Sequence, residues 1–449
     1  MFIFEWIVGM GSTVMVPIFI IIIGLIFGLG LGKSLKSGLT VAIGFVGLNL
    51  VTGLIGQYLG PVSQMLMDKY DLGLSAIDVG WTVASGIAFS TKVGAFIIPI
   101  CLAVNAIMLV TKLTKTINID IWNFWHYAFT GAMVYQISGN IWFGFLAAIV
   151  HCAVSLRLAD WGASLIEEVV GIPGVSIPQA HAASTVPIAV FLDKVYDKIP
   201  GLNKIQADPE VINERFGILG EPSTIGFFLG VIMSLMVGLP IKNILTNGIG
   251  VATLLYLLPR MVSIIVDGLV PISTAARNFV SKHFADREDL YIGMDSAITL
   301  GHPTTLAVSV LMIPFLFLLA AVLPFNIILP ASLTGVAFVV CLFTAIHKGN
   351  FVRTFISGNI IYTIYFFLAS VFAPTITAIA SDIGYAATEG VQFIGYLAWN
   401  WIGSVFGLFA FLGLPGIIGV LAIGVALFWF TKTKIGGSKP DLQSEEVTE

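Results

Sequence analysis

The sequence predicts an all-α integral membrane protein of about eleven transmembrane helices with re-entrant hairpins, built as two inverted structural repeats. Three observations predict it. Of 449 residues, 57% are hydrophobic and only 10% charged, with a mean hydropathy of +0.98, whereas a soluble domain carries about 25% charged residues. Long apolar runs approach or exceed the roughly 20 residues that cross a bilayer as a helix, and the short alternating strands of a membrane β-barrel are missing. Motifs of the first half also recur, in order, in the second.

Taken along the chain, the apolar runs cover 7–31, 39–59, 96–110, 141–156, 225–239, 306–322 and 413–430, with weaker segments between them. The first lacks a basic leader and a small-residue cleavage site, so it reads as a retained helix. The end of the chain, "SKPDLQSEEVTE", is polar and aperiodic and reads as a disordered cytoplasmic tail within 432–449. Basic residues follow the first span (Lys33, Lys36) and the last (Lys432, Lys434) and recur at Lys194, Lys198 and Lys204. The positive-inside tendency sets these ends toward the cytoplasm. Cys101, Cys152 and Cys341 lie far apart in apolar runs and read as buried, inert thiols.

An offset of 210 aligns Gly28-Leu29 with Gly238-Leu239, Gly38 with Gly248, Val41-Ala42 with Val251-Ala252, and "LGPVS" (59–63) with "LVPIS" (269–273). At 213, "VGWTVA" (79–84) meets "IGMDSA" (292–297), which sets Thr82 opposite Asp295. At 227, "NFWHYAFTG" (123–131) meets "NFVRTFISG" (350–358). Two halves built alike point to a transporter whose site lies between them near the midplane. The scaffold is expected in 7–60 and 222–272, interleaved with a substrate core in 78–190 and 290–412, all within one membrane domain, 1–431.

Polar groups inside apolar sequence mark the candidate site. "DIWNFWHYAFTG" (120–131) gathers Asp120, Asn123, His126 and Thr130 with two tryptophans. "WTVASGIAFS" (81–90) and "SIPQAHAAST" (176–185) are too short or too polar to span, and each is interrupted by Gly or Pro. Such segments must bury their backbone in protein or face water. The second brings Gln179 and His181. "MDSAITLGHP" (294–303) sets Asp295 and His302 seven apart, on one helical face. An intramembrane carboxylate such as Asp295 is costly and usually functional. Glu221, in "GEP", suits a ligand site and a favourable charge at a helix N-terminus equally. Gln136 reads as a ligand contact or an interhelical hydrogen bond, and His126 as an interfacial residue beside its tryptophans. Amides, carboxylates and histidines among apolar walls can match the donor and acceptor faces of a polyol.

Other chemistries fail on context. "GLGLG" (28–32) ends a membrane helix instead of linking a strand to a helix, so it is no phosphate loop. The histidines do not cluster with carboxylates at metal-ligand spacing. No catalytic set, cofactor motif or nucleic-acid-binding pattern is visible.

With "IDVGW" (77–81), "DIWNFWHYAFTGA" (120–132), "FGILGEP" (216–222), "GMDSAITLGH" (293–302) and "HKGNFVRTFISG" (347–358), the chain resembles enzyme IIC, the membrane subunit of bacterial sugar phosphotransferase systems. Within it, the galactitol-type branch, related to the ascorbate-type transporters, is the nearer match. The resemblance implies an eleven-span homodimer in the bacterial cell membrane, with a dimerising scaffold and a moving core. It further implies polyol uptake coupled to phosphorylation by cytoplasmic enzymes IIB and IIA, so that this chain translocates without catalysing alone. Carried across by motif, the pocket draws on Thr82, Gln136, Gln179, His181 and Asp295. Galactitol-type relatives tend to place His directly after Ile-Pro; here Gln179 stands there, with His181 two residues on. A rival reading is an ion-coupled carrier of a small organic anion, with Asp295 and Glu221 as its proton or sodium sites.

Overall fold

The computed structural model describes residues 12–54, 76–120, 122–171, 174–202, 222–283, 290–323, 327–328, 335–383, 393–397 and 399–435, with a few single positions between 57 and 69. Helices α1 (Ser12–Ile26) and α2 (Leu31–Leu54) form a hairpin, and α9 (Pro222–Val237) and α10 (Ile241–His283) form a second. Both turns need a left-handed residue, supplied by Gly28 (φ +76°) and Gly238 (φ +79°). These glycines make the hairpin turns, and the helix of the first apolar run ends at Ile26. Helices α2 and α10 run antiparallel and touch through small residues. A side chain on Gly44 would strike Ile265, one on Gly47 Met261, and one on Gly268 Val41, each at under 3 Å. Close backbone approach through glycine is a main source of helix attraction in lipid.

The remainder begins with β1 (Ala76–Asp78), α3 (Gly80–Ser90), α4 (Gly94–Val110) and β2 (Thr116–Asn118). Helices α3 and α4 meet at 89° across a short break. The Thr91 hydroxyl donates to Ala88 O at 2.7 Å and accepts from Gly94 N at 3.0 Å. A Cβ on Gly94 would stand 2.0 Å from Ala88 O, so only glycine fits the corner. A single-turn 3₁₀ segment (Trp122–Phe124) leads into α5 (Trp125–Ser138), followed by α6 (Ile141–Val170), β3 (Val175–Ser176), the short α7 (Ala180–Ala183) and α8 (Thr185–Tyr196).

After the second hairpin come β4 (Tyr291–Gly293), a 3₁₀ turn (Ser296–Thr299), α11 (Pro303–Val322), β5 (Ile327–Ile328), α12 (Val336–Ile346) and α13 (Phe351–Asp382). The chain closes with β6 (Phe393–Gly395), α14 (Trp401–Ala410) and α15 (Leu414–Ile435). Four described helices are long and apolar enough to cross a membrane, five if α3 with α4 is one bent span.

Short strands accompany the helices. Each is two or three residues long, too short for periodicity to register, yet they form two parallel sheets, ordered β5-β1-β6 and β2-β4-β3. The central strand of each comes from one half of the chain and both flanking strands from the other. Asn140 caps α6 by accepting from Trp142 N and Phe143 N, Asn350 caps α13 by accepting from Arg353 N, and each follows a glycine of positive φ, Gly139 and Gly349. These two caps stand 210 residues apart, as do the hairpin glycines Gly28 and Gly238.

Helix α8 is fastened to α13 by polar contacts. Arg353 donates to Asp193 at 2.7 Å and to Asp197 at 2.9 Å, His347 Nδ1 meets Asp193 at 2.9 Å, and His347 Nε2 meets the Ser357 hydroxyl at 2.9 Å.

Candidate functional site

The β2-β4-β3 sheet brings three segments to one place. Its strands pack so closely at Gly293 that a Cβ there would stand 2.7 Å from Thr116 and 2.9 Å from Pro178. Past the strand ends, the Asn123 amide donates to both oxygens of Asp120 at 2.9 Å and to Asp295 at 2.6 Å. The other Asp295 oxygen accepts from Ala297 N at 2.7 Å. Ser296 donates to Gln179, and the Tyr127 hydroxyl donates to Pro178 O at 2.8 Å. The polar stretch 120–131 thus spends its first residues joining the two halves of the chain.

The β5-β1-β6 sheet ends on Asp78, which accepts from Gly80 N at 3.3 Å and Leu397 N at 3.0 Å. Directly past β6 stand Tyr396 and Trp399, and Trp399 Nε1 donates to Thr130 on α5 at 3.3 Å. Helix α5 therefore runs between the ends of the two sheets.

Between those ends lies a buried cluster of aromatic and histidine rings. Trp125 stacks on His126 with centroids 3.8 Å apart, and His126 faces His181 at 5.7 Å. His181 meets Tyr365 at 6.2 Å, Tyr365 meets Tyr362 at 5.9 Å, and Trp125 meets Tyr396 at 5.9 Å. Trp125 Nε1, His126 Nε2, His181 Nε2 and the hydroxyls of Tyr362 and Tyr396 are all buried and meet no hydrogen-bond partner among the described residues. Buried polar atoms are normally paired, and each one left unpaired costs about 1–3 kcal/mol. Five lie in one cluster, from α5, α7, α13 and the end of β6, and leave donors and acceptors there that a guest can satisfy. Indole N–H donates only, phenol and neutral imidazole can donate or accept, and the ring faces suit the C–H surfaces of a carbohydrate.

His181 lies in the cluster, and Gln179 and Asp295 lie in the adjoining polar junction. His126 is buried inside the protein, at 2% exposure. His302 instead caps α11, its Nδ1 accepting from Thr304 N at 3.2 Å, and is only partly buried. Gln136 is half-buried near the far end of α5, roughly 15 Å along the axis from His126 at 1.5 Å per residue. Thr82 lies on α3, its side chain outside the described atoms, and Glu221 lies outside the described residues. Trp125, Tyr362, Tyr365 and Tyr396 were missed. Tyr362 and Tyr365 are three apart on one helix and so share a face, which was the available signal.

Long apolar helices around a buried polar-aromatic cluster mark an integral membrane protein. Residues 6–390 match the model of a family described as the PTS system sugar-specific permease component, EIIC-GAT. The chain is 43% identical over 424 residues to a permease IIC component of Escherichia coli (strain K12), covering 94% of this chain and 96% of the relative. It is 37% identical over 388 residues to the PTS system galactitol-specific EIIC component of the same strain, covering 86% of each, and equally so to its counterpart in Escherichia coli O157:H7. The chain belongs to this family: it is a multi-pass membrane protein and the sugar-specific permease subunit of a phosphotransferase system.

Proposed function

We propose that the chain carries galactitol or a closely related polyol across the membrane by alternating access and presents it for phosphorylation by a partner subunit. The observation that carries this reading is the set of five unpartnered polar atoms on buried rings. They offer a neutral polyhydroxylated guest both donors and acceptors without a fixed charge. The 37% identity to a galactitol-specific component supports the substrate. In this proposal His126, His181, Tyr362 and Tyr396 contact the polyol, with Gln179 and Asp295 at its polar end. Thr82, Gln136, Glu221 and His302 are candidates to be tested beside them.

Phosphoryl chemistry belongs to cytoplasmic IIB and IIA partners in this reading. Cys101, Cys152 and Cys341 are all buried, whereas a phosphoryl-carrying cysteine has to be accessible to its donor. The scaffold is assigned to 7–60 and 222–272 and the moving core to 78–190 and 290–412, in a homodimer with about eleven spans per chain. The offset of 210 and the reciprocal strand order of the two sheets support two inverted repeats around the site.

Uptake of labelled galactitol into cells with and without the phosphoryl-carrying subunits tests the function. Accumulation only in their presence is expected. Uptake that follows membrane potential and ignores those subunits would instead establish the ion-coupled carrier.

A further inference from the structure

We infer that His151, held as its Nδ1–H tautomer, is a positioning residue of the polyol site: through Thr130 it fixes the His126 wall, from the first half of the chain, against the Tyr396 wall, from the second. This rests on the polyol reading above and adds what sets the site's affinity from behind the rings.

His151 lies on α6, Thr130 on α5 and Asn400 just before α14, and each is 0% exposed. With Trp399 they form a buried polar knot beside the ring cluster. The Thr130 hydroxyl donates to His126 O at 3.1 Å, stands 3.0 Å from His151 Nδ1, and accepts from Trp399 Nε1 at 3.3 Å. A hydroxyl has one hydrogen and two lone pairs, and an indole N–H can only donate. With the hydrogen on His126 O and one lone pair taken by Trp399, the last contact needs its proton on His151 Nδ1. The other ring nitrogen agrees. The Asn400 side chain lies within reach of the His151 ring, and its oxygen is engaged by Gly403 N at 3.0 Å, which leaves its NH2 group for a bare Nε2. His151 Nε2 and Asn400 Nδ2 have no other partner among the described residues. The bond made by one imidazole nitrogen sets the role of the other.

Three links carry this knot to the rings. Thr130 grips the carbonyl of His126 itself. Trp399 shares Phe129 with Tyr396, the two ring centroids lying 5.5 Å and 5.6 Å from that phenyl ring. Tyr127 packs against His151 at 5.2 Å, and its hydroxyl donates to Pro178 O at 2.8 Å, just before His181. The knot has no slack: a Cβ on Gly403 would clash with both the Thr130 hydroxyl and Trp399 Nε1. Contact atoms serve a guest only when held within about 0.5 Å of their productive places. A residue that locks three ring-bearing segments therefore sets affinity without touching the guest.

The test uses the purified full chain in lipid nanodiscs. In nitrogen NMR of histidine-labelled protein at neutral pH, the resonances lost in His151→Asn should be those of an Nδ1–H ring; an Nε2–H ring or an imidazolium would overturn the inference. In galactitol titrations, His151→Leu should weaken binding about tenfold. His151→Asn, whose NH2 group can stand where Nδ1–H stood, should restore most of that affinity. Thr130→Val should weaken binding as His151→Leu does, and the double variant no more than either alone, because both remove one link. Additive losses would overturn the inference. So would a His151→Leu protein with a lower thermal midpoint but an affinity within about twofold of wild type, since the residue would then only support the fold. If His151→Leu does not fold, the tautomer and the Thr130→Val affinity decide in its place. A wild-type chain that binds no galactitol would instead bring down the polyol reading, and the tautomer alone would then decide for or against the knot.

Discussion

Single side chains decide what the site can hold. Tyr396→Phe removes one hydroxyl and leaves the ring, so it should weaken polyol binding roughly fivefold, the worth of about 1 kcal/mol for one hydrogen bond. His181→Ala removes a polar atom and ring contacts with His126 and Tyr365 and should cost ten- to hundredfold; titration calorimetry reads both, and unchanged affinities would displace the site. A second residue-scale expectation concerns acid. Burial pushes the Asp193 carboxyl up, but the hydrogen bonds and charges of His347 and Arg353 outweigh it and hold the group below the usual carboxylate value. A group depressed in the folded state stabilises that state above its unfolded pKa of about 3.9 and loses the contribution as pH falls through its lower folded value. The fastening of α8 to α13 should therefore hold from neutral pH to about 4 and loosen only below that. Amide exchange in 193–197 and 351–357 measures it, and Asp193→Asn should abolish the acid step. His181, Gln179 and Asp295 stand out in the sequence as polar groups in apolar surroundings, whereas Tyr362, Tyr365 and Tyr396 do not, because a tyrosine in a greasy helix reads as ordinary packing until its neighbours are known.

Among elements, corners and crossings matter most. Helices α3 and α4 turn 89° on a glycine that cannot carry a Cβ. Gly94→Val should lower stability by at least the roughly 1–3 kcal/mol typical of an overpacked interior, read as a drop in thermal midpoint in detergent; an unchanged midpoint would mean the corner is not built this way. The long apolar helices were legible because length and hydropathy suffice to mark them. The 3₁₀ turns and strands were not, since a strand of two or three residues has no period to detect. That is also why "SIPQAHAAST" could be recognised as unable to span without revealing that its first residue pairs with β4.

For the whole molecule, reciprocity is the governing feature. Among the described strands, β1 pairs only with strands of the second half and β4 only with strands of the first. Residues 1–210 and 211–449 expressed separately should each give an aggregated or protease-sensitive product, while co-expression should restore a resistant complex. A compact, monodisperse first half alone would refute the interlock. Gly28 and Gly238, which the sequence aligns at an offset of 210, both take the left-handed turn conformation. The exchange of strands was not readable, because nothing in a linear pattern says which half a short strand will join. Exchange also has a cost at the ribosome. When β1 has been made, the nearer of its neighbours, β5, still lies about 250 residues ahead, some 10–50 s of synthesis at ~5–20 residues per second. Throughout that interval its amide and carbonyl edges must be sheltered by the insertion machinery or by water, so biogenesis, more than the finished protein, is where this architecture is most exposed to failure.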